Sequence, residues 1–539
     1  AMRRWNGWGD DATSMELNPG ARAMLRERLG PGNPGQDADR RQLLRQIPRT
    51  RMARHRLIRT DADTRFSMAF GESYGDWIRK RFGHVPPVPD GVAFPKNRDE
   101  VRTLLDLAHQ NHWVVIPFAG GTSVAGHLDC PVSERPVLSL NLGRLSGLLG
   151  IDPEAQLATF GAGTPGPALE AALREHGYTL GHFPQSFEYS TVGGWVVTRS
   201  SGQQSLRYGR IEQLFAGGHL ETPVGPLRIP TFPASSAGPD LRELVLGSEG
   251  RFGVLTEATV RVTPLPEHES FHAIFLPDWD AAEEAVRTLV QRKLPLSMMR
   301  LSNGIETETN LTLAGHATLI GAMEKYLGIR GCGEGKCMLM LGVNGDTRSA
   351  RFALKAAREH LAKFGAVYIG TAMGSKWAAN RFKGPYLRNT LWEQGYSADT
   401  IETAVDWPQV KPLMRAMEQT ARDVFATWGE QVHAFTHLSH VYPQGSSVYS
   451  QYVWPTAPGG FEPNFERWHR LKAAVARTIA DHGGTASHQH GIGRDHAMHL
   501  DEEKGPLGMA TLASLCRHFD PNRIMNPGKL LQDGGPWAA

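Results

Sequence analysis

The spacing of apolar residues changes from segment to segment and predicts alternating helices and strands. Over residues 98–111 (RDEVRTLLDLAHQN), Val101, Leu104, Leu105 and Ala108 recur at helical intervals and predict an amphipathic helix. Residues 279–289 and 350–364 show the same spacing, and 38–47 a shorter version of it. Continuous apolar runs at 91–94, 113–116 (WVVI), 272–276 and 337–343 (CMLMLGV) predict buried strands, and 195–197 (WVV) reads as a core strand too. Pro19 and 31–35 (PGNPG) interrupt a mostly helical opening stretch, 85–89 (VPPVP) reads as a linker, and the composition shifts again after 264–267 (PLPE). These breaks predict a helical region over 1–85, larger units over 86–266 and 267–500, and a closing segment over 501–539. The fold class is α+β, without an internal repeat.

Composition adds the size of the core. With 539 residues, 40% of them hydrophobic and 21% charged, the chain reads as an ordinary globular protein able to bury several cores. Net charge is only +3, yet residues 1–60 hold 13 Arg, no Lys and six acids, and residues 40–59 hold eight Arg and no carboxylate. Such a run can meet anionic lipid headgroups, at about 1 kcal/mol per basic residue, or be a solvated face paired with acids elsewhere. Nucleic acid fits less well, because aromatic residues are not interleaved with the arginines. Cys130, Cys332, Cys337 and Cys516 form no CxxC pair, which fits a reducing cytosol. No apolar run approaches the ~20 residues that span a bilayer, and the N-terminus lacks a signal-type apolar stretch. The expected location is the cytoplasm, with any membrane contact peripheral.

Chemistry enters at residues 117–128 (PFAGGTSVAGHL), directly after the run at 113–116. A backbone with Gly120, Gly121 and Gly126, next to Thr122 and Ser123, can turn several N–H groups and two hydroxyls toward one anion. It can equally be a tight strand connection. Residues 161–166 (GAGTPG) spell GxGxxG, but Pro165 and Pro167 remove N–H groups that a pyrophosphate needs, so no dinucleotide fold of that type is predicted. Within 182–214, Pro184, Ser186, Thr191, Gly193, Gly194, Thr198, Ser200, Ser201 and Gly202 offer small side chains and hydroxyls, which suit close approach to a buried, polar ligand. Glu249, Gly253 and Val254 follow in 246–260 (LGSEGRFGVLTEATV).

Taken in order, these three segments resemble the FAD-binding pattern of the vanillyl-alcohol oxidase, or PCMH-type, flavoprotein family, most closely its alkylglycerone-phosphate synthase branch. The resemblance runs from residues 4–10 (RWNGWGD) to 520–531 (DPNRIMNPGKLL). It implies a two-subdomain PCMH-type FAD-binding domain over 86–266, an α+β cap on a mostly antiparallel sheet over 267–500, and a C-terminal segment that returns to the FAD domain. FAD is the implied cofactor. Pro117, Ala119, Gly120, Gly121, Thr122 and Ser123, the nine residues named within 184–202, and Glu249, Gly253 and Val254 would hold it. Thr122 and Ser123 stand where some relatives carry a flavin-linking histidine, which implies noncovalent binding. A homodimer is implied as well.

The resemblance extends to the reacting groups. Arg388, in 377–391 (WAANRFKGPYLRNTL) with Arg381 and Lys383, matches the family arginine that faces the flavin and holds an anionic substrate group; a guanidinium fork suits phosphate or carboxylate. D-2-hydroxyacid dehydrogenases of the superfamily hold a metal with two histidines and a Glu-His pair. Here His440 is followed by Tyr449 and then by His488-Gln489-His490, and Gln is a poor substitute for an anionic ligand, so no catalytic metal is implied. The synthase branch has a tyrosine at the site of Tyr449 and three histidines at 488–490. It exchanges the acyl group of an acyl-dihydroxyacetone phosphate for a fatty alcohol through a flavin N5 adduct. Arg388 would clamp the phosphate, Tyr449 would move the proton at the reacting carbon, and His488 and His490 would polarise substrate oxygens. Gln489 cannot exchange a proton as imidazole does. That leaves open an FAD-linked dehydrogenase or oxidase of a D-2-hydroxy acid or polyol phosphate, with His490 or Tyr449 taking the hydroxyl proton, and, third, a non-catalytic flavin-binding scaffold. The partner is in either enzyme case a phosphorylated or carboxylate small molecule, a lipid in the first, and not a nucleic acid. A lipid chain requires an apolar tunnel in the cap, whereas the methionines of 337–343 read as core filler.

Overall fold

The computed structural model describes residues 1–532, in three main sheets and the helices that cover them; 533–539, the end of the predicted closing segment, lie outside the described residues. Strands Gly91–Ala93 and Val114–Phe118 both run parallel to Val137–Asn141, with Ile58–Arg59 antiparallel at the edge. Their apolar runs are almost wholly buried, as a sheet covered on both faces requires. Parallel strands need a crossover, and helix Arg98–Asn111 supplies it. Asn97 caps that helix by accepting the Glu100 N–H at 2.9 Å, and Val101, Leu104, Leu105 and Ala108 are the residues it buries.

A second, antiparallel sheet runs in the order Leu148–Asp152, Leu157–Gly161, Val254–Arg261, Phe215–Thr222, Gly225–Ile229. The WVV stretch expected as a strand is instead the middle of helix Val192–Thr198. Thr191 caps it by accepting the Gly194 N–H at 3.2 Å, and this local capping outweighs the strand preference of so short a run. Helix Leu500–Phe519 packs Met509, Ala513, Cys516 and Phe519 into the same core. The chain then returns to the first sheet beside Val114–Phe118, where the Val115 N–H donates to the Ile524 carbonyl at 2.7 Å and the Asn526 N–H to the Val115 carbonyl at 2.8 Å.

The third sheet has seven antiparallel strands in the order Val367–Gly370, His268–Leu276, Cys337–Gly345, Leu296–Ser302, His433–Leu438, Gly445–Pro455, Tyr396–Asp406. Alternation along the strands splits its two faces. Met299, Leu301, Leu339, Leu341, Val448 and Trp454 enter a core with helices Trp279–Gln291, Thr347–Ala362, Trp407–Ala426 and Phe461–Asp481. Their neighbours Met298, Arg300, Met340, His437, Tyr449 and Gln451 face a cavity. Met338 and Met340, expected as core filler, are therefore buried wall residues of that cavity.

The N-terminal region closes one side. Trp8 and Asn389 exchange hydrogen bonds, Trp8 N–H to Asn389 Oδ1 and Asn389 Nδ2 to the Trp8 carbonyl, each at 2.9 Å. Helix Pro19–Leu29 presents Ala21, Met24 and Leu25 to the cavity. Of the arginine run, Arg40 pairs with Asp63, Arg51 with Asp90 and Arg59 with Asp61, while Arg41, Arg45, Arg49, Arg54 and Arg56 are exposed. Among the described residues no helix is long and apolar enough to cross a membrane.

Candidate active site

The cavity, about 1040 Å³, lies where the three sheets meet. Of the residues expected to hold a cofactor, all but Gly202 line it; of those expected to act on substrate, Arg388, Tyr449 and His490 line it and His488 does not. The glycine loop leaves strand Val114–Phe118 with Gly121 at φ 68°, a left-handed turn that favours glycine. Gly120 lies so close to the Tyr189 carbonyl that a Cβ would collide with it, which locks the loop against the 182–202 segment.

A hydrogen-bonded chain then ties this loop to the rest of the site. Ser123 Oγ lies 2.5 Å from His127 Nδ1, and His127 Nε2 meets Glu249 Oε1. The Glu249 carboxylate also accepts the Ile492 and Gly493 N–H groups at 3.0 and 2.7 Å, and Asn526 Nδ2 donates to the Glu249 carbonyl at 2.8 Å. Both ring nitrogens of His127, the histidine of the loop, are thereby engaged.

Tyr449 is fixed from three sides. Its hydroxyl donates to Thr400 Oγ1 at 3.2 Å, its ring stacks on His437 at 4.7 Å between centroids, and His490 meets it edge-on at 5.8 Å. Burial pushes the phenol up to about 12, so it is neutral and able to donate at physiological pH. His437 Nδ1 lies 2.9 Å from Glu306 Oε2, and Arg300 Nη2 donates to Glu306 Oε1 at 2.9 Å. Burial alone would raise Glu306, but His437 and Arg300 outweigh it and hold the carboxyl at about 2, ionised.

Glu402 is the cross-strand partner of Tyr449, so the two side chains share one face. Its carboxylate accepts Ser487 Oγ at 2.6 Å and the N–H groups of His488, Gln489 and His490 at 2.7, 3.2 and 3.2 Å, which shapes the His-Gln-His turn. The turn sends Gln489 and His490 into the cavity and His488 behind its wall. There His488 Nε2 accepts from Arg210 Nη1 at 2.8 Å and from the Tyr442 hydroxyl at 2.7 Å. Burial first, then neighbouring His440 and Arg210, drives His488 well below the usual histidine range; burial also lowers His490. Both imidazoles are neutral.

Arg388 is half satisfied. Nη1 donates to the Glu72 carbonyl at 2.8 Å and the guanidinium lies 4.3 Å from the Trp77 ring centroid, while Nη2 is buried without a hydrogen-bond partner. Asn526 Oδ1 and Arg381 Nη2, both on residues lining the same cavity, are likewise buried and unpaired. Polar atoms left this way are costly unless a ligand completes them. Together with the close-packed glycines they fit FAD, a large ligand with many acceptors and donors.

Sequence reading missed His127, Arg300, Glu306, His437 and Glu402. Arg300 could have been found from its place in the apolar run 296–301, where a lone charge demands a buried partner. The others depend on contacts between distant segments.

Comparison with known proteins agrees with this geometry. A family model described as FAD binding domain matches residues 89–228, and one described as FAD linked oxidases, C-terminal domain, matches 265–530. Alkyldihydroxyacetonephosphate synthase of Trypanosoma brucei brucei is 31% identical over 486 residues, covering 88% of this chain and 78% of that protein. A solved structure of an alkyldihydroxyacetonephosphate synthase superposes with a TM-score of 0.82 at 25% identity, over 97% of this chain and 98% of that one. p-Cresol methylhydroxylase, at 14% identity, shares the PCMH-type fold with a TM-score of 0.63 over 96% of this chain and 99% of its own. FAD is the cofactor these matches assign. Matched in both of its parts and along most of a relative's length, the chain belongs to the FAD-dependent alkyldihydroxyacetonephosphate synthase family of FAD-linked oxidases.

Proposed function

We propose that this chain exchanges the acyl group of an acyl-dihydroxyacetone phosphate for a fatty alcohol. The carrying observation is that one cavity joins a polar end to an apolar arm. Arg388, Tyr449, Gln489 and His490 line it as the polar end; Leu17, Leu25, Leu391 and Phe435, which belong to one apolar cluster with Leu313 packed against it, line it as the arm. A small hydroxy acid needs no such arm, whereas two long chains must pass through it here. The residues that would hold FAD, noncovalently, are the glycine loop with Thr122 and Ser123, the 184–201 residues, and Glu249, Gly253 and Val254. When bound, FAD supplies an electron-accepting ring that takes up the substrate carbon's electrons and returns them.

In this reading the substrate's ester C–O bond breaks, an ether C–O bond forms, a carboxylate leaves and the alcohol gives up its proton, with no net oxidation. Arg388 Nη2 donates to a phosphate oxygen, with Trp77 and the Glu72 carbonyl fixing its direction. Tyr449, neutral and held by Thr400, moves the proton at the reacting carbon. Neutral His490 accepts the alcohol proton. Gln489 can orient a substrate oxygen but carries no proton, and His488 supports the turn from behind. The arm's apolar walls keep water out. Helix Ala317–Ile329, whose Leu319 and Ile320 line the cavity, exposes Leu319 and Ile329 (71% and 85%) and is where contact with a lipid surface is proposed.

Anaerobic mixing of FAD-loaded protein with acyl-dihydroxyacetone phosphate and hexadecanol tests this: alkyl product forms and the flavin is not lastingly bleached. Lasting bleaching by a D-2-hydroxy acid or polyol phosphate, without alkyl product, would establish the dehydrogenase instead. No reaction in either case would leave a scaffold.

A further inference from the structure

The exchange proposed above has two anions to hold. One is the phosphate, present throughout; the other is the long-chain carboxylate, created when the ester bond breaks. The cavity has two guanidiniums with an unpaired, buried Nη2, Arg388 and Arg381. We propose that Arg381 is the receiving site for the departing long-chain carboxylate, separate from the phosphate clamp at Arg388.

Arg381 ends a helix face that suits such a ligand. Met373, Lys376, Trp377, Asn380 and Arg381 recur every three or four residues along helix Ala372–Asn380 and its C-cap, and all five line the cavity. Met373 packs against the cluster of Phe275, Leu311 and Met338 that Ile320 and Met323 of the exposed helix Ala317–Ile329 also cover, and Trp377 packs against Phe271, Met298 and Met340. This wall, ~12 Å from Met373 to Arg381 at the rise of an α-helix, carries the apolar Met373 and Trp377, with Lys376 between them donating to the Ala314 carbonyl at 3.3 Å, and ends at Arg381. An amphiphile with a charged head fits it; a small polar phosphate does not need it.

The guanidinium is fixed in direction, with one edge left over. Nε donates to Gln203 Oε1 at 2.7 Å, and the Arg381 carbonyl accepts from Gln185 and Gln203 Nε2 at 2.9 and 3.1 Å, so its base cannot drift. Phe183, Trp377 and Phe382 stand 4.7, 5.0 and 5.2 Å from its centre and exclude water. Glu269, whose charge acts on it, is engaged by Gln204 and Asn344 at 3.0 and 3.2 Å. Burial draws Arg381 down to about 10, and it remains cationic at neutral pH. A carboxylate reaching Nη2 completes a buried donor that the protein leaves unmet.

The inference rests on the synthase reading, and its test separates the two. Dodecanoate, dodecanol and dihydroxyacetone phosphate are titrated into FAD-loaded wild type, R381Q, R381K and R388Q. R381Q is expected to weaken dodecanoate at least tenfold while changing dodecanol and dihydroxyacetone phosphate less than twofold; R381K recovers part of the loss, and R388Q weakens the phosphate ligand instead. Equal weakening of dodecanol, weakening of the phosphate ligand by R381Q, unchanged dodecanoate binding, or loss of FAD from R381Q would each overturn it. R381K, which keeps the charge, guards against an effect of folding. Wild type that binds dodecanoate through Arg381 yet makes no alkyl product would sink the synthase reading and leave the carboxylate site standing.

Discussion

Tyr449 gathers constraints that no single segment supplies: a hydroxyl on Thr400, a face on His437, an edge toward His490. Its neutral phenol is the only hydroxyl among the residues assigned a proton-moving role. Tyr449→Phe keeps the ring and its stacking, so the exchange rate should fall ~10²-fold or more, the span general acid–base groups cover, while FAD content is unchanged and stability shifts by ~1 kcal/mol, one hydrogen bond. Product formation from labelled alcohol and a thermal melt check both halves; equal rates would remove Tyr449 from the mechanism. At this scale the sequence is legible only where a residue type announces its chemistry. Arg388 and the histidines of 488–490 stand out as letters, and the structure brings Arg388, Gln489 and His490 into one cavity. The Glu306–His437 pair does not stand out, because its members are 131 residues apart, and neither does the reversal that puts His488 behind the wall, because it follows from where the Glu402 carboxylate points.

Among elements, helix Arg98–Asn111 is legible in full, since its cap and its four buried positions sit inside one short stretch. The WVV run misleads because its valines and tryptophan favour a strand, and over so short a run the threonine cap outweighs that preference. Helix Pro19–Leu29 is harder still: its composition predicts a helix but not that Ala21, Met24 and Leu25 wall a cavity built by the cap. That placement makes it a gauge of chain length. Ala21→Phe should lower kcat/KM for hexadecanol at least tenfold while affecting butanol far less, at a stability cost of about 1–3 kcal/mol for an overpacked site. Rates with the two alcohols decide it, since a general folding defect lowers both alike.

For the molecule as a whole, buried imidazoles set the response to acid. Burial, reinforced by Arg210, holds His182 and His440 at about 3, against about 6.5 in an unfolded chain. Their folded forms bind fewer protons, so the stability they confer is complete above pH 6.5 and is lost as pH falls toward 3, at up to ~1.4 kcal/mol per pH unit for each. Urea midpoints should therefore drop between pH 7 and pH 5, and His440→Gln should flatten that drop; a midpoint flat across this range in the wild type would contradict it. The α+β class can be read from apolar runs and breaks, but the strand order of the three sheets cannot, and the return of the last residues to the FAD domain can be read only from a resemblance, since no periodicity records which strand they join. That return has a further consequence. Because Ile524 and Asn526 bond Val115 and Asn526 also holds Glu249, the cofactor groove is complete only when residues 524–526 are in place, the strand that feeds the glycine turn being otherwise unsupported on that side. A chain cut before residue 524 is therefore expected to retain less flavin than the whole, which flavin content after gel filtration would show.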